Sequence, residues 1–425
     1  MAKILLHTLV FSPDGVSTAY LMTDLARQLK RLGHQVSVLT TTPHYNVLRA
    51  ALERQPMRPV WKGLLYKSEC DGVDVWHVAI AKKGEKVAGR SLDYLRFHLV
   101  SLLAVFFGKV GEYDIVIAPS PPLSIGLVAW LLAWRRRTPC IYNVQEIYPD
   151  FAINQGLLRN KTVIKLMKRL ESFVYAKNDA IVPISEWFRR IIAQRSVPPE
   201  KLTVIPNFVD TELYRPLPRD NAFAREHGLL NDFVVLYGGN IGLSQDWESL
   251  LFAAKQLADL PIRFVIVGDG VQREWLQTEI HKRKLTNVRL LGYQPRELMP
   301  EINASCDVAT IPMHAMSTTD TFPSKIYTIM ACAKPCIVTA DDDSELAWII
   351  RQSGSGAWVP PDDPQAYTEA IHRAFLSRQS LAAEGAKGRT FVEQEYSKEA
   401  VAQRYDRLIN HLIDNHRQTV TPIQQ

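Results

Sequence analysis

A lysine stands directly before an apolar, helix-like run in the segment FPSKIYTIMACAKPC, residues 322–336. The pattern predicts a helix over 325–333 with Ser324 as its N-cap, so that Lys325 falls in the first helical turn. A cation is unfavourable there because the helix dipole has its positive end at the N-terminus. A bound phosphate or diphosphate would compensate by accepting from the helix N–H groups and the ammonium together. The alternative is a lysine that points to solvent at little energetic cost.

Two glycine-rich loops lie between strand-like runs and helical patterns in the second half of the chain. GGNIG, residues 238–242, follows FVVLY, and GDG, residues 268–270, follows FVIV. Glycine lets backbone N–H groups approach a phosphate without obstruction by a Cβ atom. Tight turns also use glycine for purely steric reasons, so the two loops together predict a phosphate site better than either loop alone.

Polar residues follow strand-like runs in the first half of the chain as well. FSPDGVST lacks the Gly-x-Gly-x-x-Gly spacing of a dinucleotide-binding turn, which argues against a nicotinamide enzyme. Carboxylates in NVQEIYPDF could orient a hydroxyl or act as a base, and helix capping is the alternative. A lone histidine, as in TTPHYN, is more often structural. The candidates at this edge of the predicted sheet are Gly15, His44, Tyr45, Gln145, Glu146 and Asp150.

Short apolar runs alternate with helical patterns along the whole chain. They include KILLHTLV, QVSVLTT, DIVIAPS, PCIYNV and DAIVPIS, and the rhythm restarts after the proline-rich segment 205–220. This alternation indicates an α/β protein with parallel, doubly wound sheets. We predict two Rossmann-like domains, residues 1–205 and 206–396. An amphipathic final helix over about 397–416 either closes the second domain or crosses back to the first.

Charge is distributed unevenly between the two halves. Residues 1–210 contain 28 lysines and arginines against 17 acidic residues (+11), whereas residues 211–425 contain 22 against 27 (−5). Basic, amphipathic segments in the first half predict a surface for anionic lipid headgroups, and a solvated helix face over ordinary core is the alternative. The basic residues concerned are Arg135, Arg136, Arg137, Lys161, Lys165, Lys168 and Arg169.

The five cysteines show neither a Cys-x-x-Cys pair nor zinc-type spacing. They predict reduced, mostly buried thiols in a cytoplasmic protein, and no metal site. The longest apolar stretch, residues 99–110, is shorter than the roughly 18–20 residues that span a bilayer. We therefore expect no transmembrane helix, and the first residues read as a strand instead of a secretion signal.

Taken in order, several segments resemble the retaining GT-B glycosyltransferases of family 4, particularly the bacterial surface-polysaccharide branch with colanic-acid and O-antigen transferases. The resemblance spans nearly the whole chain through FSPDGVSTAYLMTDLARQLKRLGHQVSVLTTTPHYN, VQEIYPD, IPNFVDTELYRP, LYGGNIGLSQDWESLLFAA, FVIVGDG, FPSKIYTIMACAKPCIVTADDDSEL and GSGAWVPPDDPQAYTEAI. It implies two domains that face a central cleft, with a nucleotide-sugar on the second and the acceptor on the first. It also implies metal-independent transfer with retention, in which the leaving diphosphate helps to deprotonate the acceptor hydroxyl.

The resemblance also implies positions for individual residues. The final helix would cross back to the first domain. Carried over by position, the donor-side residues are Gly239, Asn240, Gly242 and Gln245 in the first glycine-loop segment, Gly268, Asp269 and Gly270 near the nucleotide, Ser324 and Lys325 at the diphosphate, and Glu345 near the donor pocket.

Some positions depart from the family pattern. Many members carry an arginine and a lysine where this chain has Asn240 and Gln245, which makes Lys325 the main neutralising charge. Many also carry two glutamates where this chain has Asp320 and Thr328, and the second glutamate usually holds the ribose. These departures motivate one alternative, a catalytically silent partner that binds nucleotide-sugar or membrane. A GT-B-like sugar-nucleotide epimerase is another.

We predict a hexosyl- or N-acetylhexosaminyl-type glycosyltransferase that acts in cell-surface polysaccharide biosynthesis. It would use a nucleoside-diphosphate sugar, with UDP as the expected nucleotide, to extend a lipid-diphosphate-linked saccharide, with Lys325 and Glu146 as the catalytic residues. It would need no cofactor, bind no nucleic acid, and lie on the anionic inner face of the plasma membrane.

Overall fold

The computed structural model describes residues 1–45, 47, 49–80, 87–154, 156–315, 317 and 322–420. The chain forms two compact units. Unit 1 comprises Met1–Asn207 and Val401–Gln425, and unit 2 comprises Phe208–Ala400. The chain therefore leaves unit 1 after Asn207 and returns to it after Ala400, where the sequence prediction placed a boundary after residue 205.

Unit 1 contains one eight-stranded sheet. Its strands are β1 (Lys3–His7), β2 (Gln35–Thr41), β3 (Arg58–Trp61), β4 (Leu65–Cys70), β5 (Val73–Val78), β6 (Ile115–Pro119), β7 (Cys140–Val144) and β8 (Ala180–Pro183). They lie in the order β3-β4-β5-β2-β1-β6-β7-β8. In this spatial order, the six strands β5, β2, β1, β6, β7 and β8 pair in parallel. Strands β3 and β4 add an antiparallel edge next to β5. The antiparallel edge is absent from the sequence prediction because β3 and β4 are short and partly polar.

Helices cover both faces of a doubly wound sheet. In unit 1 they are α1 (Ser17–Arg31), α2 (Arg49–Arg54), α3 (Val87–Phe106), α4 (Ser124–Arg136), α5 (Asp150–Asn154), α6 (Lys161–Lys177) and α7 (Glu186–Ala193). Helix α4 packs on β6 and β7 and lies between α3 and α6. The three helices α3, α4 and α6 therefore form one layer on one face of the sheet.

Unit 2 contains a parallel six-stranded sheet. Its strands are β9 (Phe233–Gly238), β10 (Ile262–Val267), β11 (Val288–Leu291), β12 (Val308–Pro312), β13 (Cys336–Thr339) and β14 (Gly356–Val359), in the order β11-β10-β9-β12-β13-β14. The helices are α8 (Ala222–Glu226), α9 (Trp247–Gln256), α10 (Arg273–Lys282), α11 (Met299–Ala304), α12 (Lys325–Ala331), α13 (Glu345–Ser353), α14 (Pro364–Leu376) and α15 (Leu381–Glu395), and α16 (Lys398–Val420) follows. The predicted α/β class with two Rossmann-like sheets is confirmed.

Continuous apolar runs explain why the parallel strands form. Strands such as β9 and β12 are buried along nearly their whole length, as expected for a sheet covered on both faces. All five cysteines are unpaired and buried, which confirms that part of the sequence prediction. None of the helices in the described part of the chain is long and apolar enough to cross a membrane.

Two buried histidines, His7 and His77, and the half-buried His98 make the stability of unit 1 sensitive to acid. Burial lowers the pKa of His77 and His98 to about 4, and it lowers that of His7 well below the usual value of 6.5. Each histidine takes up its proton more readily in the unfolded chain. We therefore expect the free energy of unfolding to fall as pH drops from about 6.5 towards 4, by up to about 1.4 kcal/mol per pH unit for each histidine. Urea unfolding over this pH range measures the slope.

Two variants provide the comparison. His98→Gln removes one titrating group and should make the slope shallower, whereas the exposed His281 of α10 serves as the control through His281→Gln. Equal slopes for wild type and His98→Gln would contradict the explanation.

Candidate functional site

Lys325 is the first residue of α12, and its ammonium packs against Tyr237 near the end of β9. Its Nζ atom donates to Tyr237 Oη at 2.7 Å and lies 3.9 Å from the centre of the phenol ring. Tyr237 Oη in turn donates to the carbonyl oxygen of Asn240. The ring face and the hydroxyl both stabilise a cation, so they offset part of the unfavourable helix-dipole interaction. Lys325 thus does not simply point to solvent.

The surroundings of Lys325 change its acidity. Desolvation by burial lowers the pKa of Lys325 from 10.5 to about 7, and the charge interaction with Cys336 has a smaller opposing effect. Burial also raises the pKa of Cys336 well above its usual value, so Cys336 is a neutral thiol and provides no countercharge. The ammonium is therefore an incompletely compensated cation that an anion would stabilise.

The predicted N-cap role of Ser324 is wrong. Its side chain makes no capping hydrogen bond, because its own backbone is already helical, with φ −57° and ψ −11°. The N–H groups of Ile326 and Tyr327 instead donate to the carbonyl oxygens of Pro323 and Ser324, both at 3.1 Å. These two N–H groups are thus satisfied within the first turn, and the Lys325 ammonium is the main feature of this helix end that could attract an anion.

Three backbone N–H groups of the first glycine loop already donate to acceptors within the protein. The N–H groups of Gly239, Ile241 and Gly242 donate to Val267 O, Asp269 O and Gln245 Oε1, each at 2.9 Å. These three donors are therefore not directed at a phosphate, contrary to the sequence prediction. The loop instead provides space, because a Cβ atom on Gly239 would come within 2.7 Å of Lys325 Nζ.

The second glycine loop packs directly on the first. A Cβ atom on Gly268 would lie 1.9 Å from the carbonyl oxygen of Gly239, and one on Gly270 would lie 2.3 Å from that of Ile241. Both glycines have positive φ angles, +154° and +157°. The steric alternative thus explains these two glycines, and their function is to let two backbone loops meet.

A pocket of about 440 Å³ opens beside the two loops, within the range of small-ligand sites. The sequence prediction missed Tyr293 and Arg296, which contribute an exposed aromatic ring and a second cation. The sequence did contain a local indication of these two residues, because both lie in the segment that follows strand β11, at the sheet edge where ligands of parallel sheets bind. The pocket is lined by Gly239, Asn240, Val267, Gly268, Asp269, Tyr293, Gln294, Arg296 and Met299.

The other donor-side candidates occupy separate positions in unit 2. Asp269 is exposed, and its Oδ1 atom accepts from the N–H of Gly270 at 2.8 Å. Glu345 is the first residue of α13, where Ser344 is the N-cap. Thr328 donates to the carbonyl oxygen of Lys325 at 2.9 Å. Asp320 lies outside the described residues.

Asp14 brings three of the candidates in unit 1 together. Its Oδ1 atom accepts from the N–H groups of His44 and Tyr45 at 2.8 and 2.7 Å, and Gly15 donates to the carbonyl oxygen of Tyr45 at 2.9 Å. Burial raises the pKa of the Asp14 carboxyl, although these N–H groups oppose the rise. Asp14 is not among the sequence-predicted candidates, whereas the structure shows it organising the loops after β1 and β2.

Two further candidates have structural partners. The side-chain amides of Gln145 and Asn207 exchange two hydrogen bonds, at 3.0 and 2.8 Å. Asp150 accepts from Arg195, which also binds the buried Glu171. These contacts favour the structural alternative for Gln145 and Asp150.

Glu146 differs from its neighbours after strand β7. It is half-buried, and burial raises the pKa of its carboxyl. Within the described ranges, no hydrogen bond reaches its carboxylate. Its backbone N–H instead lies 3.4 Å from Ser120 Oγ, in the loop after β6. Glu146 is therefore the carboxylate of this sheet edge best placed to accept a hydrogen bond from a substrate hydroxyl.

One group of metal-type ligands occurs among the described residues. Ligand atoms of Asp246, His314 and Asp362 lie within 4.8 Å of one another. Asp246 already accepts from the N–H of Ser249 at 3.0 Å as the N-cap of α9, and His314 Nδ1 lies 2.6 Å from Asp362 Oδ1. These contacts explain the cluster, and we assign no metal to it.

The two halves of the chain match two family models. Residues 18–207 match the model described as a glycosyl transferase 4-like domain, and residues 219–410 match the model described as glycosyl transferases group 1. The crystal structure of Anabaena Alr3699/HepE in complex with UDP is similar in fold, with a TM-score of 0.69 and 18% identity over 96% of this chain and 100% of that chain. Together with its two Rossmann-like sheets, these matches identify the protein as a GT-B glycosyltransferase.

Curated relatives narrow the class. The putative colanic acid biosynthesis glycosyl transferase WcaI of Escherichia coli is 23% identical over 411 residues, which cover 95% of this chain and 98% of that protein. An Escherichia coli UDP-Gal:alpha-D-GlcNAc-diphosphoundecaprenol alpha-1,3-galactosyltransferase is 26% identical over 286 residues, which cover 65% and 69% of the two chains. This protein is therefore a homologue of glycosyltransferases of polysaccharide biosynthesis.

Proposed function

We propose that the protein transfers a hexose or N-acetylhexosamine from a UDP-sugar to a lipid-diphosphate-linked saccharide, with retention of configuration. The observation that carries the proposal is the pocket of about 440 Å³ beside Lys325. Its lining provides the exposed aromatic ring of Tyr293 and the Arg296 cation, and the lining residue Gly239 borders the Lys325 ammonium, which suits a base and a diphosphate. UDP occurs in the structure of HepE, and a diphosphate-linked lipid is in the name of the galactosyltransferase relative.

Lys325 and Glu146 have separate roles in this reaction. As the bond between the anomeric carbon and the diphosphate oxygen breaks, negative charge grows on the diphosphate, and Lys325 stabilises it. The acceptor oxygen forms the new bond to the same carbon, and its proton passes to the leaving diphosphate. Glu146 would bind the acceptor hydroxyl and hold it for attack. The chemistry needs no metal, and the protein works at the inner face of the plasma membrane.

Release of free nucleotide tests the proposal. Full-length protein with membrane lipid extract should release nucleotide from one donor in a panel of UDP-, GDP- and dTDP-sugars, and only when lipid is present. Nucleotide binding without turnover of any donor would instead favour a silent partner. Isomerisation of the donor without nucleotide release would identify an epimerase.

The acidity of Lys325 predicts how UDP binding depends on pH. In the free protein the pKa of Lys325 is about 7, and a bound diphosphate raises it because it favours the charged ammonium. Binding should therefore take up a proton, and affinity should fall by up to about tenfold per pH unit above pH 7. The terminal phosphate of UDP, with a pKa of about 6, is already ionised in this range.

Calorimetry measures both effects. Titrations between about pH 7 and about pH 9 in two buffers of different protonation enthalpy give the affinity and the proton uptake. Lys325→Met should bind weakly and without this pH dependence. An affinity of the wild-type protein that stays constant over the same range would show that Lys325 does not face the diphosphate.

A further inference from the structure

Helix α3 exposes an apolar stripe along its outer face. Leu92, Leu95, Leu99, Leu103 and Phe106 recur at spacings of three and four residues, and each is between 42% and 67% exposed. The opposite face of the helix, with Phe97, Val100, Ala104 and Val105, lies in the core of unit 1. The described part of α3 is thus apolar on two sides, a pattern typical of a helix that has an apolar environment on both.

The neighbouring helices continue this surface. Helix α4 lies between α3 and α6 and exposes Trp134, while α6 exposes Leu166. Contacts join the helices at the surface, because Trp130 packs edge-on against Phe173 at 5.3 Å and the Arg135 guanidinium lies 5.5 Å from the Phe106 ring. We call these outer faces of α3, α4 and α6 the helical face. Contiguous exposed apolar patches of this kind mark interaction surfaces.

The helical face is also strongly basic. Helix α4 contains no acidic residue, α3 contains only Asp93, and α6 contains only Glu171, which is buried and paired with Arg195. Lysines and arginines bury their aliphatic stems against apolar surface while their charged ends reach outward. The exposed cations on these helices and at their ends are Arg96, Lys109, Arg135, Arg137, Lys161, Lys165, Lys168, Arg169 and Lys177.

A pocket at one end of the helical face adds a place for a single anionic headgroup. Its volume is about 560 Å³, and its lining includes Trp130, Trp134, Arg135, Arg137 and Lys177, together with one carboxylate, Asp179, which accepts from the N–H of Cys140 at 2.8 Å. The Lys177 ammonium lies 5.7 Å from the Trp130 ring, so the aromatic and cationic groups are interleaved. Tryptophan beside arginine and lysine is the composition expected at the boundary between headgroups and acyl chains.

Two partners could cover the helical face, a second copy of this chain or a lipid bilayer, and its charge favours the bilayer. A symmetric dimer would bring the helical face against its own copy, and the cations of one copy would then meet those of the other. An anionic bilayer accepts the apolar stripe among its acyl chains and the cations among its phosphates. We propose that the helical face docks the protein on an anionic phospholipid bilayer. This proposal extends the lipid-linked acceptor proposed above, but its test requires neither donor nor acceptor.

Co-sedimentation with vesicles tests the docking. Full-length wild-type protein should bind vesicles of phosphatidylcholine with phosphatidylglycerol, and bind vesicles of phosphatidylcholine alone less well. The double variant Leu99→Glu/Leu103→Glu should lower the partition coefficient by at least about tenfold, because it places two charges in the stripe. Leu376→Glu is the matched control, since Leu376 is 71% exposed on α14 of unit 2.

A charge-reversal pair tests the electrostatic contribution. Lys165→Glu/Lys168→Glu should weaken binding to the anionic vesicles and reduce its salt dependence, whereas Lys255→Glu on α9 should leave both unchanged. Thermal unfolding checks that each variant is folded. Wild-type protein that stays in the supernatant, or equal binding by the stripe variant, would overturn the proposal.

Two further results separate the possibilities. If sedimentation velocity shows a wild-type dimer that the stripe variant loses while vesicle binding is unchanged, the helical face is a contact between copies and the docking proposal fails. Vesicle binding that needs the stripe, in a protein that releases no nucleotide from any donor, would support the docking and count against the proposed transferase function alone.

Discussion

Lys325→Met is expected to slow sugar transfer by about 30- to 1,000-fold, which corresponds to about 2–4 kcal/mol of lost transition-state stabilisation. Methionine keeps an apolar stem of similar length but lacks the ammonium, and with it the hydrogen bond to Tyr237 Oη and the cation–π contact with the ring. The loss should appear in kcat as well as in UDP affinity, because the charge on the diphosphate grows as the sugar leaves. Steady-state nucleotide release measures both.

A matched lysine controls for general charge effects. Lys255 is exposed on α9 of the same unit, and Lys255→Met should leave turnover unchanged. Turnover of Lys325→Met at the wild-type rate would remove Lys325 from the reaction. A loss confined to KM would instead mean that Lys325 binds the donor without acting in the transition state.

Gly268→Ala is expected to lower the free energy of unfolding by about 3–5 kcal/mol and to abolish tight UDP binding. The added Cβ would lie 1.9 Å from the carbonyl oxygen of Gly239 and 2.9 Å from its carbonyl carbon. These are backbone atoms and cannot rotate away, so the two loops would have to separate. Because Gly239 borders Lys325 and lines the pocket beside the two loops, the separation would also disturb the proposed donor site. Urea unfolding and calorimetric titration with UDP measure the two effects.

Gly292→Ala is the control for this substitution. Gly292 follows β11 close to Tyr293, and a Cβ atom there meets nothing within 4 Å. We expect stability and UDP affinity close to those of the wild-type protein. If Gly268→Ala behaves like Gly292→Ala, the close packing of the two loops is not required.

Local patterns were sufficient to predict most of the parallel strands. β9 and β10 are mostly apolar runs followed by glycine, so their burial and their carboxyl ends are visible in the sequence. The hairpin of β3 and β4 escaped prediction because an edge strand is only partly buried and its periodicity is weak. Its existence depends on pairing with β5, which no local pattern encodes.

The candidate site was predictable only in part. The position of Lys325 at a helix start is a local feature, and the structure confirms it. Its contact with Tyr237 joins residues 88 positions apart, and no local sequence pattern in either segment predicts that contact. The glycine loops were recognised as special, but their N–H groups bond inside the protein and their glycines allow two backbones to meet. The sequence showed where glycine was needed without showing the reason.

Unit 1 consists of two segments that are separated in the chain by the whole of unit 2, and this determines the order in which the two units can be completed during synthesis. All residues of unit 2, Phe208–Ala400, leave the ribosome before Val401–Gln425, the last segment of unit 1. Until then the turn between α1 and β2 lacks its partner α16, in which Asp406 pairs with the buried His34 at 2.8 Å and Ile409 is fully buried. The unit that is made first is therefore finished only after unit 2, and the nascent chain carries an uncovered apolar surface until α16 has been made.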